Sequence, residues 1–176
     1  MKQTRLDANE CCIVQFKIEI DEPERYLMKV RQVGNRFGVH IVLFNAEMMA
    51  GRSHVCSALW HAFRAFNRGT AISNSPEMEA LLYASGSRQC RSGLRFGIHA
   101  GKNRIYLCVC PGDKTALVEL LKDGAIVHED WNIISPEKLV RLTDLFGITP
   151  EELDVSGRDR ITDLILERVA LLEVYR

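Results

Sequence analysis

Cys12, Val14, Phe16, Ile18 and Ile20 alternate with Gln15, Lys17 and Glu19, and a period of two marks a strand with one buried face. Asp21-Glu22-Pro23 then opens a helix predicted to run to about Gln32, where Gly34 and Asn35 end it. Residues 37–44 are apolar on both parities, which predicts a central strand covered on both faces. Val55, Ala58, Leu59, Ala62, Phe63 and Phe66 fall on one helical stripe and predict an amphipathic helix over residues 53–67. Ser75-Pro76-Glu77 supplies an N-cap, a proline at the first position and an acid in the first turn. Gly86 breaks that helix, and a second short one is predicted over residues 87–96. Residues 104–110 read as a third strand, and Pro111-Gly112-Asp113 turns it into a helix ending near Gly124. Three more helices follow. One runs from Ser135-Pro136-Glu137 to Gly147, one starts at the capping box Thr149-Pro150-Glu151-Glu152, and the last spans about residues 158–172. No repeat or linker interrupts the series. It predicts a single α+β domain over residues 1–176, with a small, mostly antiparallel sheet of three to four strands and about seven or eight helices.

The 176 residues are long enough for one self-sufficient core, and 47% apolar with 26% charged side chains is ordinary for a globular chain. No apolar stretch approaches the length of a membrane span. The opening residues, Met1 to Asp7, lack the apolar centre of a secretory signal, which predicts a cytoplasmic chain. Six cysteines include Cys11-Cys12 and a Cys108-Val109-Cys110 run but no C-x-x-C. The expectation is therefore free thiols packed as small apolar groups, not a disulfide framework or a zinc site.

The zero net charge hides a polarity: residues 1–104 carry 15 basic and 9 acidic side chains, and residues 105–176 carry 8 basic and 14 acidic. Sixteen of the 23 cations are arginine, whose planar fork suits phosphate. An anionic partner for the first part is one reading; a solvated basic face is the other. Motifs of catalysis are missing: no G-x-G-x-x-G, G-x-S-x-G or H-E-x-x-H occurs. Gly97-Ile98-His99-Ala100-Gly101-Lys102-Asn103 is one residue short of a phosphate loop, places Asn103 at the magnesium position and leads into a strand. A small nucleotide-binding or phosphoryl-transfer enzyme using this turn is the alternative function. His54, Ser57, His61, Arg64 and Arg68 span roughly 80° of the second helix, and are read as a polar edge facing solvent or RNA. Trp60 lies outside the apolar stripe, either an exposed anchor for a partner or covered by a neighbouring loop. The sharper cluster follows Gly86. Amides opening the next helix, with the Ser87 hydroxyl, would form an anion seat. Arg88, Arg91 and Arg95 would share one edge above it, unless that edge is only a solubilising face.

On the last helix Ile161, Leu164, Ile165, Val169 and Leu172 form one apolar side, expected to seat it on the sheet. Leu166 and Ala170 form another, flanked by Asp159 and Asp163. A helix with two apolar sides is fully buried or shared with a partner.

Three stretches together resemble the Cgi-type small subunit of the KEOPS complex. They are Phe44-Asn45-Ala46-Glu47-Met48-Met49-Ala50 with His54 and Ala58; Glu79-Ala80-Leu81-Leu82-Tyr83-Ala84-Ser85-Gly86-Ser87-Arg88-Gln89 with Gly97-Ile98; and Leu166-Glu167-Arg168-Val169-Ala170-Leu171-Leu172-Glu173. Cys90 departs from the aliphatic residue usual there, and residues 103–157 and the first ten residues match loosely. The resemblance implies a non-catalytic protein without a cofactor, bound neither to membrane nor to DNA. Such a subunit docks on the kinase-like ATPase subunit of KEOPS, stimulates it and captures the 3′ CCA end of tRNA for threonylcarbamoyladenosine modification beside the anticodon. On this footing Ser87, Arg88, Arg91, Arg95, Arg64 and Arg68 are expected to contact RNA, and Leu166, Val169 and Ala170 the kinase.

Overall fold

The computed structural model describes residues 5–174. In chain order the elements are β1 (Cys12–Ile20), α1 (Pro23–Phe37), β2 (His40–Asn45), α2 (Arg52–Asn67), α3 (Pro76–Ala84), α4 (Cys90–Leu94), β3 (Gly101–Cys110), α5 (Lys114–Leu121), β4 (Ala125–Ile126), α6 (Pro136–Phe146), α7 (Pro150–Ser156) and α8 (Ile161–Val174). The strands form one antiparallel sheet in the order β2-β3-β1-β4. This is the α+β class that the patterning predicts.

Alternation along the strands divides the interior in two. Ile41, Leu43, Ile105, Leu107, Val109 and the Phe16–Ile18–Ile20 face of β1 pack under α1 and α5. Val42, Phe44, Tyr106, Cys108 and Cys110 face the other way, into the larger core formed with α2, α3, α6 and α8. β2 is thus covered on both faces as expected, but it lies at the edge, and β3 is central. Helices on both faces make a strand apolar on both parities whether or not it has two hydrogen-bonded neighbours, so the pattern could not separate these cases.

The ends of elements show where a local rule was overridden. Gly34 does not stop α1. It sits where the chain folds back: a Cβ there would stand 2.8 Å from the Val39 carbonyl oxygen, and Val39 N–H donates to the Gly34 carbonyl. Gly38, with φ of 66°, is the actual terminator. Ser75, Ser135 and the Thr149/Glu152 capping box perform as the sequence predicts. α4 is only five residues long, because Gln89 is extended and its N–H is taken by the Ser87 hydroxyl. α8 begins at Ile161 after a 3-10 turn, Arg158–Arg160, and rests on α2, α3 and α6 instead of on the sheet.

The cysteine expectation is corrected. The β1–β3 register pairs Cys12 with Val109, which puts Cys11 opposite Cys110, and the two form a disulfide with Cα atoms 4.3 Å apart. They are 99 residues apart in sequence, so no spacing rule could have paired them. Cys108 remains a buried thiol, whose pKa burial raises well above its ordinary value. Cys56 and Cys90 are exposed.

Candidate functional site

α3 ends in a turn that closes on itself. Gly86 takes a φ of +59°, its N–H donates to the Tyr83 carbonyl, and the Ser87 N–H donates to the Leu82 carbonyl. The Ser85 hydroxyl also donates to Leu82. The turn lies against α6 and α8, with the Gly86 Cβ position 3.5 Å from the Phe146 ring and 3.7 Å from the Arg168 carbonyl oxygen. The expected anion seat is therefore not built as predicted, since the amides of Gly86 and Ser87 are engaged by α3 and that of Gln89 by Ser87.

A surface groove of about 550 Å³ takes its place. Ser87, Arg88 and Arg95 line it from one side; Leu145 and Phe146 of α6 and Arg168 and Leu171 of α8 line it from the other. Arg88, Arg91 and Arg95 are all exposed, but they are not one helical edge: Arg88 precedes α4, Arg91 lies within it and Arg95 caps it. Arg168 is the residue that spacing missed. It lines the groove, and its guanidinium donates to Glu152 Oε1 at 2.6 Å. Its only signal in the sequence was membership of the C-terminal stretch that carries the family resemblance.

Arg64 and Arg68 do not face that groove. With His61 they converge on Glu173 of α8. Arg64 donates from Nε and Nη2 to Oε1 at 3.0 and 2.6 Å, His61 Nδ1 is 3.1 Å from Oε2, and Arg68 lies 3.8 Å away. Burial disfavours the Glu173 carboxylate, but the hydrogen bonds and charges of Arg64 and His61 outweigh it and lower its pKa. The Arg64 guanidinium also lies 4.4 Å from the centre of the Trp60 ring, and Trp60 is 44% exposed.

The reading of His54 as part of a polar edge is overturned. The side chain is fully buried, with Nδ1 accepting from the Ala50 N–H at 3.1 Å and Nε2 donating to the Ala84 carbonyl at 2.9 Å. The rings of Phe96 and Phe146 meet it edge-on. It ties the start of α2 to the end of α3, next to the groove. Burial lowers its pKa to about 4, against a smaller upward pull from the Ala84 hydrogen bond. Because the folded pKa lies below the unfolded one, the unfolded chain binds the extra proton. Stability present above about pH 6.5 should thus fall as the pH drops toward 4, by about 3 kcal/mol. The difference in unfolding free energy between wild type and His54→Gln, followed by denaturant titration across that window, should shrink as the pH falls; parallel profiles would refute this account.

The turn at residues 97–102, exposed from His99 to Lys102, is tied together by the buried Asn103. Asn103 is 3% exposed; its side chain accepts from the His99 N–H and donates to the His99 and Gly101 carbonyls. It opens β3, not a helix, so the geometry of a phosphate loop is not formed. No group of His, Cys, Asp and Glu able to hold a metal ion occurs among the described residues. None of the helices among those residues is long and apolar enough to cross a membrane.

Of the expected partner residues on α8, Ala170 is exposed and Leu166 half-buried, but Val169 is fully buried in the larger core. Val169 therefore packs within the domain, and no surface is left on it for a partner.

A family model of kinase-binding proteins matches residues 26–173, which include the groove beside Gly86. The chain belongs to the kinase binding protein CGI-121 family. No curated protein matches the chain. The matched span begins within α1, so β1 and the residues before it lie outside it.

Proposed function

We propose that the chain is a non-catalytic KEOPS subunit that binds and stimulates the kinase-like ATPase subunit and captures the 3′ CCA end of tRNA. The observation that carries the RNA half is the arginine-lined groove beside Gly86. Single-stranded RNA is held by phosphate neutralisation and stacking, not by reading a duplex groove. Arg88, Arg95 and Arg168 offer charge to a groove whose lining also includes the rings of Phe96 and Phe146. Arg91 stands just outside and would meet the strand as it leaves.

The kinase half rests on family membership and on the second apolar side of α8, where Leu166 and Ala170 reach solvent between Asp159, Asp163 and Glu167. Leu166→Glu is expected to abolish co-purification with the kinase subunit while shifting the thermal midpoint by no more than a few degrees. A midpoint lowered by many degrees would make Leu166 a core residue and remove the surface from consideration. Bare tRNA, with and without its CCA end, tests the other half by mobility shift: loss of the three terminal nucleotides should markedly weaken retention by the isolated chain.

A further inference from the structure

A second and larger groove, about 900 Å³, is lined in part by Arg64 and Arg68 of the Glu173 cluster. One wall is the outer edge of α2, with Trp60, Arg64 and Arg68. The other is the segment before β1, residues 5–9, with Arg5 exposed. That segment is fixed at both ends. Leu6 N–H donates to Asn67 Oδ1 at 3.0 Å and Asn67 Nδ2 donates to the Leu6 carbonyl at 2.7 Å, while Cys11 is bonded to Cys110. The groove is thus a formed feature, and it includes residues outside the span shared with the family.

Its chemistry is specific. Arg64 is held by Glu173 with its guanidinium over the Trp60 ring, so a rigid aromatic–cation pair presents itself at the surface. Arg68, with 60% of its side chain exposed, and Arg5 supply charge along the rim. Among the described lining residues the one carboxylate is Asp7, and it accepts from the Asn9 backbone and side chain. An exposed indole flanked by arginines, in a cleft of ligand-binding size, is the arrangement that stacks a base and neutralises the adjoining phosphates. An acidic peptide would use the arginines and leave the indole idle.

We propose that this groove is a second single-stranded RNA site, in which a base stacks on Trp60 and the flanking phosphates meet Arg5 and Arg68. It shares with the proposed function the expectation that RNA is the ligand, but uses different residues, so the two can fail separately.

The chain has two tryptophans, and Trp131 is 3% exposed with its N–H donating to Glu129, so quenching of tryptophan emission by a ligand reports Trp60. Titration of the whole protein with a single-stranded adenylate hexamer should give saturable quenching. The Arg88→Ala, Arg91→Ala, Arg95→Ala variant should keep it. Measured by anisotropy of a labelled hexamer in that background, Trp60→Ala should weaken binding about tenfold or more, and Trp60→Phe should restore most of it. Arg5→Ala with Arg68→Ala should lower the slope of log K against log salt by roughly 1.4, at about 0.7 per phosphate. Hexamer binding without quenching, quenching lost in the triple variant, or equal quenching by an acidic or phosphorylated peptide would each overturn the proposal. So would the absence of any binding at low salt.

Discussion

Reduction of the Cys11–Cys110 bond is expected to lower the stability of the protein by about 4 kcal/mol. The bond closes a loop of 99 residues, and chain entropy assigns between 4 and 5 kcal/mol to a closed loop on the order of 100 residues. For a chain of this length the change corresponds to a thermal midpoint lowered by roughly 10 °C. Cys11→Ser is the cleaner variant, since Cys11 is half-buried, whereas Cys110 is 1% exposed and serine there would add the cost of burying a hydroxyl. Calorimetric scans with and without a dithiol reductant should separate by this amount for the wild type and coincide for Cys11→Ser. Coincident scans of the wild type would show that the bond contributes nothing to the folded state.

Replacing Arg88, Arg91 and Arg95 together by alanine should weaken tRNA binding and flatten log K against log salt by roughly 2 units. Three phosphates at about 0.7 each set that figure for a single strand. The three side chains are exposed, so the fold should be untouched and co-purification with the kinase subunit should survive. Single substitutions would rank Arg88 and Arg95, which line the groove, above Arg91, which stands outside it. Arg168→Ala should add to the loss, since Arg168 also lines the groove. Wild-type affinity and slope in the triple variant would reduce these arginines to a solvated face and send the RNA elsewhere.

The residues explain how far the sequence could be read. The alternation of β1, the stripe of α2 and the caps at Ser75, Ser135 and Thr149 are interactions among neighbours within a few positions. They are encoded where they act, and the elements formed there as expected. Gly34 and Ser87 depart from the local pattern for the opposite reason: each obeys a contact that a spacing rule does not contain. In one the Val39 carbonyl folds over a helical glycine, and in the other a serine hydroxyl takes an amide expected to open a helix.

The site was half legible. Gly86, Ser87 and the exposed arginines after it form a local cluster that the sequence displays. Arg168, 80 positions beyond Arg88 in the chain, joins the groove only because α8 packs against α3 and α6. The same packing brings Glu173 to Arg64 and Arg68 and takes Val169 out of reach. Packing of α2 against α3 moves His54 from an expected polar edge to a buried tie between the two helices. Apart from the two-residue β4, which no local pattern marks, the kinds of element, their order, their apolar faces and the basic run after Gly86 were legible in the sequence, because these follow from periods of two and 3.6 residues and from capping within a turn. The tertiary structure decided which strand is central, which cysteines meet, and which charged groups share a groove or cancel one another. Those outcomes depend on pairings about a hundred residues apart, chosen by how apolar faces pack over the whole chain, and no local pattern carries that information.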